Sequence, residues 1–284
     1  MVSCRPAART ENIKALRYFF HIGYNGTNYK GWQRHPYGIN VQQVIEDCLQ
    51  RILKVPVAIV GCGRTDTGVH ASQFFFHLDV ARPWEFDMLL RLNKVLPPDI
   101  AIFDIIAMEG LPHARFDAVQ RSYDYFIHTY KDPFLSGLSS LYLIRHLNPD
   151  SMKAATALLP RYSDYRCLCI TPAAHRSTIC HVTAARWLSD PNGDRLRFQI
   201  SANRFLSRMI RIIVGKLLQV GTGALSMDEF ESYLATETAP KTLHAAYPQG
   251  LYLSKVTYPF LNLLPRSSLS AIMQNQTNAG WQAL

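Results

Sequence analysis

One carboxylate stands in a short glycine-rich stretch of this 284-residue chain, GCGRTDTGVHA, which runs from Gly61 to Ala71. The stretch also contains Arg64, His70 and three glycines around Asp66. Glycines let a backbone turn tightly and let a ligand approach closely. An aspartate in such a loop often caps its own backbone instead. Asp66 is therefore either a turn residue or a carboxylate presented to a ligand, and the stretch alone leaves both open.

A candidate partner for this carboxylate lies much later in the chain. The spacing of Arg204, Arg208 and Arg211 predicts one basic face on a long helix from about Arg204 to Val220. Such a face is usually solvated, but it can also bind phosphate or pair with a carboxylate that is costly to bury alone. An arginine beside Asp66 would favour its ionised form, which nucleophilic or general-base chemistry requires.

Aromatic residues supply the third element. Tyr123 and Tyr125 share one face of a predicted strand in RSYDYFIHTY, where core packing is the common fate of tyrosine and stacking on a nucleobase is the alternative. Just before it, Arg115 and Phe116 in PHARFDA place a cation beside a ring. That combination suits single-stranded or flipped RNA.

The overall charge favours a polyanionic partner. Lys and Arg number 30 against 21 Asp and Glu, which gives a formal net charge of +9. Such a field attracts nucleic acid, although a merely basic protein would have the same balance. Hydrophobic residues make up 48% of the chain, an ordinary soluble composition, and no apolar run approaches the roughly 18 residues of a membrane span.

Cysteine content and the N-terminus bear on the compartment. The six cysteines are expected to be reduced thiols. Zinc binding by Cys167, Cys169, Cys180 and His181 is disfavoured because the C-x-C spacing lacks the usual C-x-x-C pair. The first residues have no apolar segment typical of a secretory signal, so we expect a cytoplasmic protein, with a very short transit peptide as the alternative.

Hydrophobic periodicity predicts the elements that must position these residues. The predicted strands are 16–22, 73–80, 100–106, 121–130, 181–188, 196–200 and 251–258, and the helices are 41–53, 85–96, 150–159, about 204–220 and one starting at Ser226. Asn40 is the expected N-cap of the first helix, and Ser226 with Glu229 forms a capping box for the last. Each half then runs approximately β-α-β-β-α-β.

This order is typical of the ferredoxin-like, split βαβ arrangement. We therefore predict an α+β fold of two ferredoxin-like halves, with a merged, mostly antiparallel sheet, helices on one side and an active-site cleft at the seam. The predicted boundaries are 1–112 for the N-terminal half, 113–262 for the C-terminal half and 263–284 for a weakly structured tail. RNA-recognition motifs share this topology, but the chain has no RNP1 pattern, which disfavours a tandem of them.

Taken together, these segments resemble the TruA family of tRNA pseudouridine synthases. The resemblance covers residues 16 to 260, and its most specific element is GRTDTGVHA. The supporting segments, in the same order and spacing as in the family, are YNGTNYKGWQ, VQQVIEDCL, HARFDA, RSYDYFI, NRFLSRMIRIIVGKLL and AAYPQGLYL.

The resemblance implies a role for each candidate residue. Asp66 would be the catalytic residue, Tyr123 would stack on the uracil, and Arg211 would pair with Asp66. Arg64 would help to extrude the target uridine and fill the gap that it leaves. Further tRNA contacts are implied for Pro112, His113, Ala114, Arg115, Phe116 and Lys131.

The implied activity is the isomerisation of uridine to pseudouridine in the tRNA anticodon stem-loop, at positions 38, 39 and 40. The family works without a cofactor or metal and usually as a homodimer. Whether Asp66 attacks the sugar or removes a sugar proton stays open. The alternatives are a catalytically silent tRNA-binding protein and a synthase with other target uridines, because YRCLCITPAAHRST departs from the family pattern. A glycosidase is disfavoured, since it needs two carboxylates.

Overall fold

The computed structural model describes residues 15–144, 146–266 and 281–284, which form five α-helices and ten strands of a single sheet. The helices are α1 (Val41–Leu53), α2 (Met88–Val95), α3 (Pro149–Leu158), α4 (Met209–Gly221) and α5 (Met227–Leu234). The strands are β1 (Leu16–Tyr24), β2 (Val60–Gly61), β3 (His70–Val80), β4 (Ile100–Ala107), β5 (Gln120–His128), β6 (Ser140–Leu141), β7 (Val182–Ser189), β8 (Arg195–Ala202), β9 (Leu251–Thr257) and β10 (Gln282–Ala283). The α+β class is confirmed.

The sheet has the order β10-β7-β8-β5-β9-β3-β1-β4, with β2 on β3 and β6 on β5. Its pairs are antiparallel except for β3–β9 and β5–β6. In the parallel contact, His70 lies beside Tyr252 and Ala71 beside Leu253. This short contact joins the strands before residue 108 to those after residue 119 in one merged, mostly antiparallel sheet.

The predicted helix starts are confirmed at two caps. The Asn40 side chain accepts a hydrogen bond from the backbone of Gln43, and Ser226 accepts one from the backbone of Glu229. Such caps satisfy backbone N–H groups that the first turn leaves without a partner. The short strands β2, β6 and β10 were not predicted, because two residues are too few to show a period.

The start predicted for the long helix is wrong, because α4 begins at Met209. The residue before it, Arg208, has φ 57° and ψ 6°, a left-handed conformation that an α-helix interior excludes. The Ser207 carbonyl accepts from the backbone of Ile170 rather than from a helical turn. Arg204 therefore lies in a loop, and the three arginines do not form one helix face.

Aromatic packing supports the strand that follows the Asp66 loop. Trp32 packs against Phe74 in a tilted arrangement with ring centroids 4.0 Å apart, and Phe20 stacks on Phe76 at 4.6 Å. All four side chains are buried, and burying each one stabilises the fold by roughly 1.5–3 kcal/mol. The loop is thus attached to a rigid part of the core.

The sequence also predicted that no segment spans a membrane and that residues 263–284 form a weakly structured tail. Among the described helices, none has both the length and the apolar character needed to cross a membrane. Most of the predicted tail, residues 267–280, lies outside the described residues. At its end, β10 pairs with the edge of β7, and Trp281 contacts Phe126.

Candidate active site

Asp66 lies in the loop between β2 and β3, and its neighbours are fixed to the segment that follows β1. The backbone N–H of Trp32 donates to the Thr65 carbonyl (3.3 Å), and the Tyr24 and Thr65 hydroxyls are 2.9 Å apart. The backbone N–H of Gly68 donates to the Tyr29 carbonyl at 3.2 Å. The loop is therefore anchored on both sides of Asp66, whose side chain remains 37% exposed.

At two positions near Asp66, Gly61 and Gly68, the local structure requires glycine. A Cβ on Gly61 would lie 2.5 Å from the indole nitrogen of Trp32, so only glycine lets the loop pass over that ring. Gly68 has φ +74°, a conformation that other residues adopt at a cost. The glycines thus shape the loop itself.

Arg211 reaches Asp66 from α4. Its Nη1 donates to Asp66 Oδ2 at 3.2 Å, and its Nε donates to the Ala246 carbonyl at 2.7 Å. The Arg211 side chain is only 13% exposed, and its guanidinium group is held between a backbone oxygen and the carboxylate. The structure thus brings together Asp66 and Arg211 from distant parts of the chain.

Tyr123 lies on β5 near the same carboxylate. Its ring packs edge-to-face on Phe205, with centroids 5.1 Å apart, and its side chain is buried. Burial raises the pKa of the Tyr123 phenol; the Arg121 charge opposes this rise and the Asp66 charge adds to it. The neutral ring is therefore within electrostatic range of Asp66 and braced by a second aromatic ring.

A group of four arginines lies near the site, and we call it the arginine cluster: Arg64, Arg115, Arg121 and Arg204. Burial lowers the pKa of Arg115, and the charges of the other three lower it further, so each of these three cations is within electrostatic range of Arg115. Arg64 is exposed and donates from Nε to Gln33 Oε1 at 3.0 Å. None of the four forms a salt bridge within the described ranges. Such a cluster favours an anionic ligand.

The predicted RNA contacts in PHARF are partly exposed. Phe116 is 74% exposed, its ring lies 4.2 Å from that of His113, and the Arg115 guanidinium lies 5.8 Å from the Phe116 ring centroid. These three side chains form a basic and aromatic surface. Lys131 is also exposed, but it lies in the loop after β5, at the opposite end of that strand from Arg121.

The other two PHARF residues hold this segment in place. Ala114 is buried; its N–H donates to His77 Nδ1 (3.1 Å) and its carbonyl accepts from the Tyr258 hydroxyl (2.6 Å). The Pro112 carbonyl accepts from Arg17 Nη1 at 2.9 Å. In this structure the contacts of Ala114 are with the core, so any contact with RNA would have to come from its neighbours.

Sequence reasoning missed several residues that shape the site. Phe205 braces Tyr123, Gln33 accepts from Arg64, and Arg121 hydrogen bonds to the loop that carries Asp66. All three belong to segments that resemble the family: NRFLSRMIRIIVGKLL, YNGTNYKGWQ and RSYDYFI. Their roles depend on contacts between distant segments, which no local pattern reveals.

Comparison with known proteins points to one family. A family model described as tRNA pseudouridine synthase matches residues 162–259. A protein of Porphyromonas gingivalis called tRNA pseudouridine synthase A is 41% identical over 246 residues, which cover 86% of this chain and 97% of that protein. Proteins of the same name from Parabacteroides distasonis and Gloeobacter violaceus are 40% and 35% identical, each over 86% of this chain and over 96% and 80% of their own lengths. Because these matches span nearly the whole described fold, including the Asp66 loop and α4, the chain belongs to the tRNA pseudouridine synthase A (TruA) family.

Proposed function

We propose that this protein isomerises uridine to pseudouridine in the anticodon stem-loop of tRNA, at positions 38, 39 and 40. The C1′–N1 bond breaks, the uracil rotates, and C5 bonds to C1′ with loss of the C5 proton to solvent and gain of a proton at N1. The reaction is redox-neutral. The observation that carries the proposal is the ion pair of Asp66 and Arg211, whose carboxylate is within electrostatic range of the Tyr123 phenol.

Either route for Asp66 begins with an ionised carboxylate. In one, a carboxylate oxygen attacks C1′; in the other, it removes a proton from the sugar. Arg211 donates one hydrogen bond to the carboxylate and a second to the Ala246 carbonyl, and this pair of bonds orients the carboxylate. A preorganised charge of this kind needs no rearrangement when the substrate arrives.

The target base must leave its stack before Asp66 can reach the sugar, at a cost of a few kcal/mol. Tyr123, braced by Phe205, provides a face for the free uracil. Arg64 is exposed two residues before Asp66 in the same loop, and it is suited to fill the gap that the extruded uridine leaves in the RNA. Arg115 and Arg204 of the arginine cluster, together with Phe116, would contact the phosphates and bases around it.

The same proposal extends to architecture and assembly. The strand orders β4-β1-β3-β2 and β7-β8-β5-β9 support two ferredoxin-like halves, 1–112 and 113–262, with Asp66 from the first half meeting Tyr123 and Arg211 from the second. Contacts of α1 with α2, and of α3 with α4 and α5, support helices grouped on one side of each half.

A cytoplasmic homodimer without cofactor or metal follows from the family resemblance. Sedimentation of the purified protein with and without tRNA tests its oligomeric state.

The central experiment replaces Asp66 by Asn. tRNA transcripts labelled with 5-tritiated uridine release tritium when C5 bonds to C1′, and mapping of the product gives the modified position. We expect Asp66→Asn to lose tritium release while its tRNA affinity stays near that of the wild type. Asp228→Asn, which removes an exposed carboxylate from the first turn of α5, is the matched control. Turnover by Asp66→Asn would refute the assignment, and modification elsewhere on the tRNA would refute the positions.

A further inference from the structure

Arg121, the second residue of β5, directs its hydrogen bonds to backbone oxygens. Its Nη2 donates to the carbonyls of Cys62 (2.7 Å) and Arg115 (2.8 Å). Its Nη1 donates to the carbonyls of Ala118 (3.3 Å) and Asn203 (3.2 Å). A single guanidinium group thus joins four points of the backbone.

These carbonyls come from segments far apart in the chain. Cys62 lies four residues before Asp66, Arg115 belongs to PHARF, and Asn203 stands at the start of the loop that leads to α4. Tyr123 is two residues beyond Arg121 on the same strand. Arg121 therefore lies on the strand of the stacking ring and is hydrogen bonded to the loop of the catalytic carboxylate and to the segment before the helix of Arg211.

The geometry points to Arg121 as a positioning residue for the isomerisation, which sets the Asp66 loop at its working distance from Tyr123. This inference rests on the proposed function. Arg121 bonds to the Cys62 carbonyl, whereas the contacts of Trp32 and Tyr24 fix the loop at Thr65. Without Arg121, the first part of the loop would lose its attachment to β5.

The guanidinium shape is essential to this role. Arginine presents several donors in a rigid planar fork, whereas lysine offers one compact ammonium group on a flexible stem. A lysine at position 121 keeps the positive charge, but its single ammonium group cannot donate to the carbonyls of Cys62, Arg115 and Asn203 at the same time. Arg121→Lys therefore separates positioning from simple electrostatic attraction of RNA.

The test measures kcat, KM and tRNA affinity for Arg121→Lys and Arg121→Ala. We expect kcat to fall about 10- to 100-fold in both, because a displacement near 1 Å costs up to about 100-fold in rate, while the tRNA Kd of Arg121→Lys changes little. Added guanidinium ion should restore part of the missing kcat of Arg121→Ala, and sodium chloride at equal ionic strength should not.

Arg197→Lys is the matched control. Arg197 lies on β8, points to the opposite face of the same sheet and donates to Asp124 at 2.8 Å. It should lose thermal stability without losing kcat. Wild-type kcat in Arg121→Lys, a loss confined to tRNA affinity, or an equal loss of kcat in Arg197→Lys would each overturn the inference.

Amide hydrogen exchange of the free protein tests positioning without any turnover. Arg121→Lys should speed exchange in residues 61–68, and Arg197→Lys should not. Unchanged exchange in Arg121→Lys would overturn the inference. Absence of pseudouridine formation by the wild-type protein would reject the proposed function instead, and the exchange result would still decide whether Arg121 fixes the loop.

Discussion

Arg211 Nη1 lies 3.2 Å from Asp66 Oδ2, although the two residues are 145 positions apart in the chain. Both the backbone and the side chain of Arg211 are bonded to Ala246, since its carbonyl accepts from the Ala246 N–H (2.8 Å) and its Nε donates to the Ala246 carbonyl (2.7 Å). The guanidinium group is thus oriented before any substrate binds. The tertiary fold therefore sets the position of the Asp66 carboxylate relative to Arg211.

Arg211→Lys should lower kcat about 10- to 100-fold, as expected for loss of a charge-assisted hydrogen bond worth about 1.5–3 kcal/mol. A lysine ammonium cannot donate to the Ala246 carbonyl and to Asp66 in the fixed geometry of the guanidinium fork. Tritium release under single-turnover conditions measures the change. Because the positive charge remains, tRNA affinity should stay close to that of the wild type.

Arg186→Lys serves as the control for this substitution. Arg186 is exposed on β7 and donates to Gln199, on strands that do not carry Asp66, so its replacement should leave kcat unchanged. Wild-type turnover by Arg211→Lys would show that the ion pair does not contribute to the reaction.

The sequence predicted most elements of the fold because their signals are local. The caps at Asn40 and Ser226 and the alternation of Tyr123 and Tyr125 depend only on neighbouring residues. The start of α4 was wrong because the left-handed backbone at Arg208 and the bond of Ser207 to Ile170 depend on a distant segment. Apolar periodicity continues through Leu206 and gives no sign of this break.

The candidate site, like the fold, could be predicted from the sequence only in part. Asp66, Tyr123 and Arg211 could be named as candidates because their segments resemble a family with a specific motif. Arg121 lies within one of those segments, yet its four bonds to backbone carbonyls have no counterpart in side-chain spacing. Ala114 was expected to contact RNA, but its burial and its bonds to His77 and Tyr258 become visible only in three dimensions.

Gly61→Ala should destabilise the protein by about 1–3 kcal/mol, the usual cost of overpacking. The new methyl group would lie 2.5 Å from the Trp32 indole nitrogen, and Trp32 is buried and cannot move aside without disturbing its neighbours. Gly63→Ala is the matched control, since its Cβ would meet only Arg121 Nε at 3.9 Å, an ordinary contact. Urea unfolding compares the two, and equal losses would refute the steric explanation.

Arg115→Gln should weaken tRNA binding and flatten its salt dependence. For each phosphate that the variant no longer binds, the slope of log Kd against log salt should fall by roughly 0.7–0.9. Arg115 is exposed beside Phe116 and belongs to the arginine cluster. Arg51→Gln, in the exposed last turn of α1, should leave the slope unchanged. A wild-type slope in Arg115→Gln would remove this residue from the RNA interface.

His70 should make stability depend on pH between about 6.5 and 4. The ring is buried under Tyr252; its Nδ1 accepts from the Gly26 N–H (3.0 Å), and its Nε2 donates to the Gln249 carbonyl (3.1 Å). Burial lowers the pKa of His70 from 6.5 to about 4, and the carbonyls of Gln249 and Gly137 oppose this shift. The folded state therefore keeps the imidazole neutral where the unfolded state has already bound a proton.

The sign of the effect follows from that difference. Above pH 6.5 the ring is neutral in both states and contributes no pH dependence. As the pH falls towards 4, the unfolded state gains a proton that the folded state lacks, so the free energy of unfolding decreases. For a shift of this size the full loss is about 3 kcal/mol, at about 1.4 kcal/mol for each pKa unit.

His70→Gln tests this assignment, because a glutamine amide can accept from Gly26 and donate to Gln249 without titrating. Urea unfolding of both proteins between pH 7 and pH 4.5 should show a smaller loss of stability in His70→Gln. His77, whose pKa burial also lowers to about 4, remains in both proteins and contributes equally to each curve. Parallel curves for the wild type and His70→Gln would show that His70 is not a source of the acid sensitivity.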